Sequence, residues 1–265
     1  MKLYLHGHDY KYATEQMLLT LFPGERPSYP DRPAGEGEDS LTLSLSLGGR
    51  WATARAVLTR DGRRWTAAAR APVPAPDAGR VERDRVLQRV VKNAFYRAGV
   101  QALGREPPWG GLTGVRPVKL PTRALEQGAT RRQADRLLRD LYRVSAPRRA
   151  LALDCAQATL AAKRTLAPED VSLYVGVPFC PTRCAYCSFI SADAGKSLSL
   201  LEPYLDALVQ EVRAAGEVLS RAGRRVRSVY FGGGTPTTLS AQQLHRLLGE
   251  LEDHIDLTWC TEYTV

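Results

Sequence analysis

Cys180, Cys184 and Cys187 share one short loop with the spacing C-x3-C-x2-C. Thiolates are soft donors that favour iron–sulfur clusters, zinc or Cu(I). A structural zinc site closes with a fourth protein ligand, and this loop supplies none; Cys155, Cys260, His245 and His254 are all distant in sequence. A [4Fe–4S] cluster held by three cysteines leaves one iron open to a cofactor or substrate, and that is the sharper reading of the donor set. Cys184 and Cys187 could alone form a C-x-x-C redox pair, but Cys180 would then have no role. Farther along, Gly232, Gly233 and Gly234 precede Thr235 and Pro236. Successive glycines remove every Cβ and permit positive φ, so the backbone there can approach a ligand closely. The run lacks the G-x-G-x-x-G spacing of a dinucleotide fingerprint. It also suits a tight strand-to-helix turn.

Both loops follow predicted strands. Residues 171–177 of VSLYVGVPFCPTRCAYCSFIS form an apolar, β-branched run that reads as a buried strand, stopped by Pro178. A helix is predicted over 197–222, with Pro203 tolerated in its opening turn. A strand over 226–231, the glycine loop, a helix over 240–254 capped by Ser240 and a strand over 259–265 complete the series. Alternating β and α elements imply a parallel sheet. On such sheets ligands gather beyond the C-terminal ends of the strands. The cysteine and glycine loops therefore emerge on one side.

With Tyr186 before its last cysteine, the motif resembles the radical S-adenosylmethionine (SAM) superfamily. The longer words LYVGVPFCPTRCAYCSF and VYFGGGTPTTL are similar to the oxygen-independent coproporphyrinogen III oxidase family. WGGLTGVRPVKL, over 109–120, resembles its HemZ-type branch. The resemblance implies that Cys180, Cys184 and Cys187 ligate a [4Fe–4S] cluster and that S-adenosyl-L-methionine is the second cofactor. It assigns Gly233, Gly234 and Thr235 to the methionyl amino group, the Tyr174 hydroxyl to the carboxylate, and Tyr186 to flanking the adenine or simply shielding the cluster; read from the sequence alone, Tyr174 also fits plain core. The implied reaction is oxidative decarboxylation of coproporphyrinogen III to protoporphyrinogen IX. A porphyrinogen is then the substrate, with an external electron donor and acceptor.

The family's oxidases carry a further cysteine two residues after the third ligand, where this chain has Phe189. Its haem-chaperone relatives lack that cysteine, so haem binding without porphyrinogen oxidation is one alternative. A zinc-stabilised nucleic-acid-binding module is another. The expected fold is α/β: an α+β module at 1–76, a mainly helical connector at 77–166, and the first three βα units of a (β/α)6-type radical SAM barrel at 167–265. With three strands where the resembled core has six, the chain is expected to be a truncated form, poorly soluble or self-associating, and inactive. The family's SAM-contacting glutamate follows the strand that here ends at Val265, and Glu262 does not align with it.

The rest of the chain is soluble in character. Apolar residues make up 44% and charged residues 25%, ordinary proportions for a globular protein. No apolar run is long enough to span a membrane, and the polar start MKLYLHGHDYKY is no signal peptide. Clustered cysteines suit a reducing compartment, so the expected location is cytoplasmic. The formal charge of +9 invites nucleic acid as a partner, but the arginines are dispersed, which makes that partner unlikely. Leu41, Leu43, Leu45 and Leu47 alternate with Ser and Thr as a half-buried strand, and 51–59 returns after Gly48-Gly49. Helices are predicted at 10–21, 81–102, 122–127, 130–142 and 146–166, and loops at 23–39 and 107–121. The second loop, which holds Arg116 and Lys119, is either a rigid connector anchored by Trp109 or a collar near the substrate or cluster in which Arg116 pairs with a carboxylate. Cys155 and Cys260, within apolar patterns, read as inert buried thiols. His6 and His8 share a strand face without a third ligand nearby.

Overall fold

The computed structural model describes residues 1–32, 35, 37–113, 116–189 and 192–265. Pro33, Ala34 and Glu36 of the predicted 23–39 loop, Gly114 and Val115 of the 107–121 loop, and Ile190 and Ser191 after the cysteine motif lie outside the described residues. The chain divides into two compact units, Met1–Ala161 and Ala162–Val265.

In the first unit, β1 (Lys2–His6) leads to α1 (Lys11–Leu21), then β2 (Ser40–Leu47), β3 (Trp51–Arg60) and β4 (Arg63–Pro72). The strands form one sheet in the order β1-β2-β3-β4. β1 and β2 are parallel, and the other pairs are antiparallel. Asp61 and Gly62, both with positive φ, make the two-residue turn between β3 and β4, the pair such a hairpin favours. One sheet face buries Leu41, Leu43, Ala52, Ala54, Ala56 and Leu58. Alanine is a poor strand former. Here its small side chains leave room for α2 (Arg80–Leu103), which buries Val91, Ala94 and Phe95 in the same core. At Gly99 of α2 a Cβ would lie 2.6 Å from Leu21 Cδ1, so glycine allows α1 to close on α2. The helix stops at Gly104 in the left-handed conformation, as expected of a helix-ending glycine. The stretch expected as a connector thus contributes its first helix to the N-terminal core.

Three further helices follow: α3 (Lys119–Glu126), α4 (Arg131–Tyr142) and α5 (Ala146–Arg164). α4 opens with a reciprocal capping box between Thr130 and Gln133. α3 takes up the end of the loop predicted over 107–121, because Pro121 falls in its first turn, where no N–H is needed. Cys155 is exposed, contrary to the buried reading. The inward positions of α5 are Ala152, Leu153 and Ala156, and at about 100° per residue Cys155 falls outside the arc they span.

The second unit carries β5 (Asp170–Val177), the short β6 (Phe179–Cys180) and β7 (Ala192–Asp193), α6 (Ala194–Ser197), α7 (Leu201–Arg221), β8 (Arg225–Gly233), α8 (Ala241–His254) and β9 (Glu262–Thr264). β5, β8 and β9 make a parallel sheet in that order. α7 and α8 bury Leu205, Val209, Val212, Leu247 and Leu251 with Val175, Val177, Val229 and Phe231 of the strands. At Gly216 a Cβ would come within 2.1 Å of the His254 carbonyl oxygen, so glycine permits the approach of α7 to the end of α8. Ser240 caps α8 as predicted, in a capping box with Gln243.

Two boundaries differ from the sequence reading. α7 begins at Leu201, after a short helical turn at Leu198–Leu200, rather than at 197. The strand predicted over 259–265 is cut to β9. Thr258 N–H turns onto the Asp256 carboxylate at 2.9 Å, and Cys260 N–H onto the Leu257 carbonyl at 2.9 Å, which uses up the preceding backbone. No helix among the described residues is long and apolar enough to cross a membrane.

Candidate functional site

The cysteine loop and the glycine loop leave neighbouring strands and touch. β5 and β8 run in register, with Tyr174 opposite Tyr230, Gly176 opposite Gly232 and Val177 opposite Gly233. Beyond the strands, Gly234 N–H donates to the Val177 carbonyl at 2.7 Å and Thr235 N–H to the Phe179 carbonyl at 2.8 Å. Gly233 takes φ 101°, a conformation that L side chains rarely adopt. At Gly234 a Cβ would lie 2.6 Å from the Phe179 carbonyl oxygen and 2.9 Å from Cys180 Sγ. The Thr235 hydroxyl stands 3.6 Å from the same sulfur. Cys180 is therefore fixed against Gly234 and Thr235, with Phe179 pinned from below. The Phe179 ring is buried edge-on to Tyr204 at 5.4 Å, and the Tyr204 hydroxyl donates to the Gly176 carbonyl at 2.6 Å. Burial raises the Tyr204 pKa, so the phenol stays protonated and keeps that donor role.

The other two thiols are looser. Cys187 N–H donates to the Cys184 carbonyl at 3.0 Å, closing a tight turn. Cys184 is exposed and Cys187 half-buried, and all five cysteines are free. Tyr186, 90% exposed, has its pKa raised first by hydrogen bonding with Cys184 and then by the nearby sulfur charges. The structure thus brings Tyr186 to Cys184, and Cys180 to Gly234 and Thr235. Among the described residues no three His, Cys, Asp or Glu side chains converge closely enough to hold a metal ion. The donor chemistry nevertheless fits a cluster: three free thiols on one loop, with a glycine wall where any side chain would strike Cys180.

Tyr174 lies on the sheet face opposite α7 and α8. It is 60% exposed and stacks on Tyr230 at 5.9 Å with the rings 19° apart. Its hydroxyl rests over Gly232, where a Cβ would come within 2.7 Å of that oxygen. Tyr230, Tyr204 and Phe179 were not singled out from the sequence. A signal existed: β5 and β8 both carry Tyr-x-Gly, Tyr174-Val175-Gly176 and Tyr230-Phe231-Gly232. Parallel strands paired on those words place both tyrosines on one face. Phe189, at the position where the resembled oxidases carry a cysteine, is 68% exposed.

No family model matches the chain. The oxygen-independent coproporphyrinogen-III oxidase-like protein HemZ of Bacillus subtilis is 33% identical over 183 residues, covering 67% of this chain and 36% of that protein. The oxygen-independent coproporphyrinogen III oxidase of Pseudomonas aeruginosa is 43% identical over 94 residues, 34% of this chain and 19% of the relative. The heme chaperone HemW of Lactococcus lactis is 37% identical over 94 residues, 36% of this chain and 23% of the relative. Among solved structures, one described as "Coproporphyrinogen III oxidase (HemN) from Escherichia coli is a Radical SAM enzyme" matches at 32% identity and a TM-score of 0.31, over 41% of this chain and 24% of that one. The chain is a homologue of oxygen-independent coproporphyrinogen III oxidase-like proteins. Of the relatives named here, the HemZ protein shares the longest stretch. The chain spans about a third of that protein's length.

Proposed function

We propose that the second unit carries the cofactor-binding part of a radical SAM oxidoreductase acting on a porphyrinogen, with oxidative decarboxylation of coproporphyrinogen III as the reaction. The observation that carries this reading is the seating of Cys180 against Gly234 and Thr235. It joins the thiolate loop to the close-approach loop beyond the ends of two parallel strands, the position where α/β sheets hold ligands. On this reading the parallel sheet is the start of a (β/α)6-type barrel.

Cys180, Cys184 and Cys187 would hold a [4Fe–4S] cluster. With S-adenosyl-L-methionine bound, that group supplies one-electron chemistry able to take hydrogen from an unactivated carbon. The chain's own residues bind and orient. The glycine loop offers backbone groups at Gly233 and Gly234 and the hydroxyl of Thr235 to the methionyl amino group. The Tyr174 hydroxyl, set by its stack on Tyr230, is offered to the carboxylate, and exposed Tyr186 to the adenine. Tyr204 holds the Gly176 carbonyl and so fixes the end of β5. An external electron donor and acceptor complete the reaction.

Phe189 favours a second reading, haem binding without porphyrinogen oxidation, because it offers no thiol where the resembled oxidases have one. Anaerobically reconstituted protein separates the two. Incubation with S-adenosyl-L-methionine, reductant and coproporphyrinogen III should yield a vinyl product lighter by carbon dioxide and hydrogen, detected by mass. Stoichiometric haem binding with no such product favours the chaperone reading and overturns the oxidase one.

A further inference from the structure

A second site stands in the first unit. A cavity of about 340 Å³ is lined by Arg85, Arg89 and Lys92 of α2, by Arg116 of the segment that leads into α3 and by Lys119, the first residue of α3. On a helix, positions i, i+4 and i+7 share a face, so the first three cations project together. No carboxylate lines the cavity. None of the five has a salt-bridge partner among the described residues, in a unit where other arginines, such as Arg131 and Arg149, are paired with aspartates. Lys92 and Arg89 are half-buried. The Lys92 ammonium donates to the Thr113 hydroxyl at 3.1 Å, which uses one of three donors. Burial, and then the charge of Arg89, lowers its pKa. Leu112, Leu120 and Tyr142 add an apolar wall.

We propose that this cavity binds a small phosphate-bearing polyanion, held by Arg85, Arg89, Lys92, Arg116 and Lys119. Like charges gathered without counter-ions repel in the empty protein, and an oxyanion among them satisfies all five. The volume lies at the lower end for ligand pockets, which suits a compact ligand better than a large polycarboxylate macrocycle. A phosphate concentrates up to two charges and several acceptor oxygens on one centre, where a carboxylate brings one. Five cations around so small a space therefore match a diphosphate or triphosphate better than a carboxylic acid. Arginine and lysine together supply forked and point-charge contacts to such groups.

Isothermal titration of the 265-residue chain with inorganic pyrophosphate, ATP and citrate tests this. The expected result is saturable one-to-one binding of pyrophosphate or ATP that weakens as salt is raised, with citrate at least about tenfold weaker. ATP binding tighter than pyrophosphate would extend the assignment, placing a nucleoside against the apolar wall. Arg116→Gln and Arg89→Gln should each weaken binding about tenfold or more, the loss of a charge-assisted contact. Arg55→Gln, an equal charge change on exposed β3, should leave binding unchanged. Arg116 is exposed and outside any helix, so its variant keeps the fold, which a thermal melt verifies. No saturable binding, citrate as tight as pyrophosphate, or an equal loss in Arg55→Gln overturns the proposal.

Discussion

Gly234→Ala asks whether the glycine loop holds the cysteine loop in place. The added Cβ would sit 2.6 Å from the Phe179 carbonyl oxygen and 2.9 Å from both the Phe179 carbonyl carbon and Cys180 Sγ. That carbonyl is backbone and already accepts the Thr235 N–H at 2.8 Å, so it cannot retreat without stretching a hydrogen bond. Overpacking of this kind costs about 1–3 kcal/mol, centrally about 2. In a unit of roughly 100 residues, 1 kcal/mol moves the midpoint by about 4–8 °C, so the second unit should melt about 8–16 °C lower. Gly249 of α8 is the control, since a Cβ there meets nothing within 4 Å. Gly249→Ala should raise stability by about 0.5–1 kcal/mol through helix propensity. Scanning calorimetry reads both. Equal midpoints for Gly234→Ala and the unaltered chain would refute the claim that these loops are locked together.

Gly232→Ala should cost less, because its Cβ would meet the ends of the exposed Tyr174 and Tyr230 side chains at 2.7 Å, which can swing away; near-ultraviolet circular dichroism should change while the midpoint moves little. Ser240→Ala removes the side-chain half of the α8 capping box and should destabilise by about 1 kcal/mol, read by denaturant titration. Asp170 accepts from Ala167 N–H at 2.9 Å and pairs with Arg225 at 3.0 Å. The Ala167 bond first, and Arg225 after it, hold the carboxyl pKa below its usual value. A depressed folded pKa adds stability above the ordinary carboxylate range, and that stability is lost as pH falls through the lowered value. Asp170→Asn should therefore melt lower than the unaltered chain at pH 7, with the gap closing in acid; a constant gap would contradict it.

Much of the second unit was legible because its signals are local. The apolar run before Pro178, the glycines after 231 and Ser240 as a cap all report on their immediate neighbours, and together they put both loops beyond strand ends. What was missed depends on pairing. Tyr230 gains its place beside Tyr174 only through the register of β5 on β8, which neither strand states alone. The strand expected over 259–265 shrank because Asp256 and Leu257 capture the backbone in turns, a competition that apolar patterning does not weigh. Cys155 was misread because its neighbours are apolar, while the helix buries Ala152 and Ala156 instead. In the first unit, the face bearing Arg85, Arg89 and Lys92 could be drawn from helical spacing. That Arg116 and Lys119 meet it across the chain could not.

Iron content after anaerobic reconstitution tests the central claim most directly, because it asks only whether Cys180, Cys184 and Cys187 hold a cluster. The account predicts brown, oxygen-sensitive protein with about four irons per chain. Alanine at any of the three positions should abolish it, and Cys155→Ala should retain it. One tightly bound zinc and no iron uptake, or iron retained in Cys180→Ala, would contradict the account.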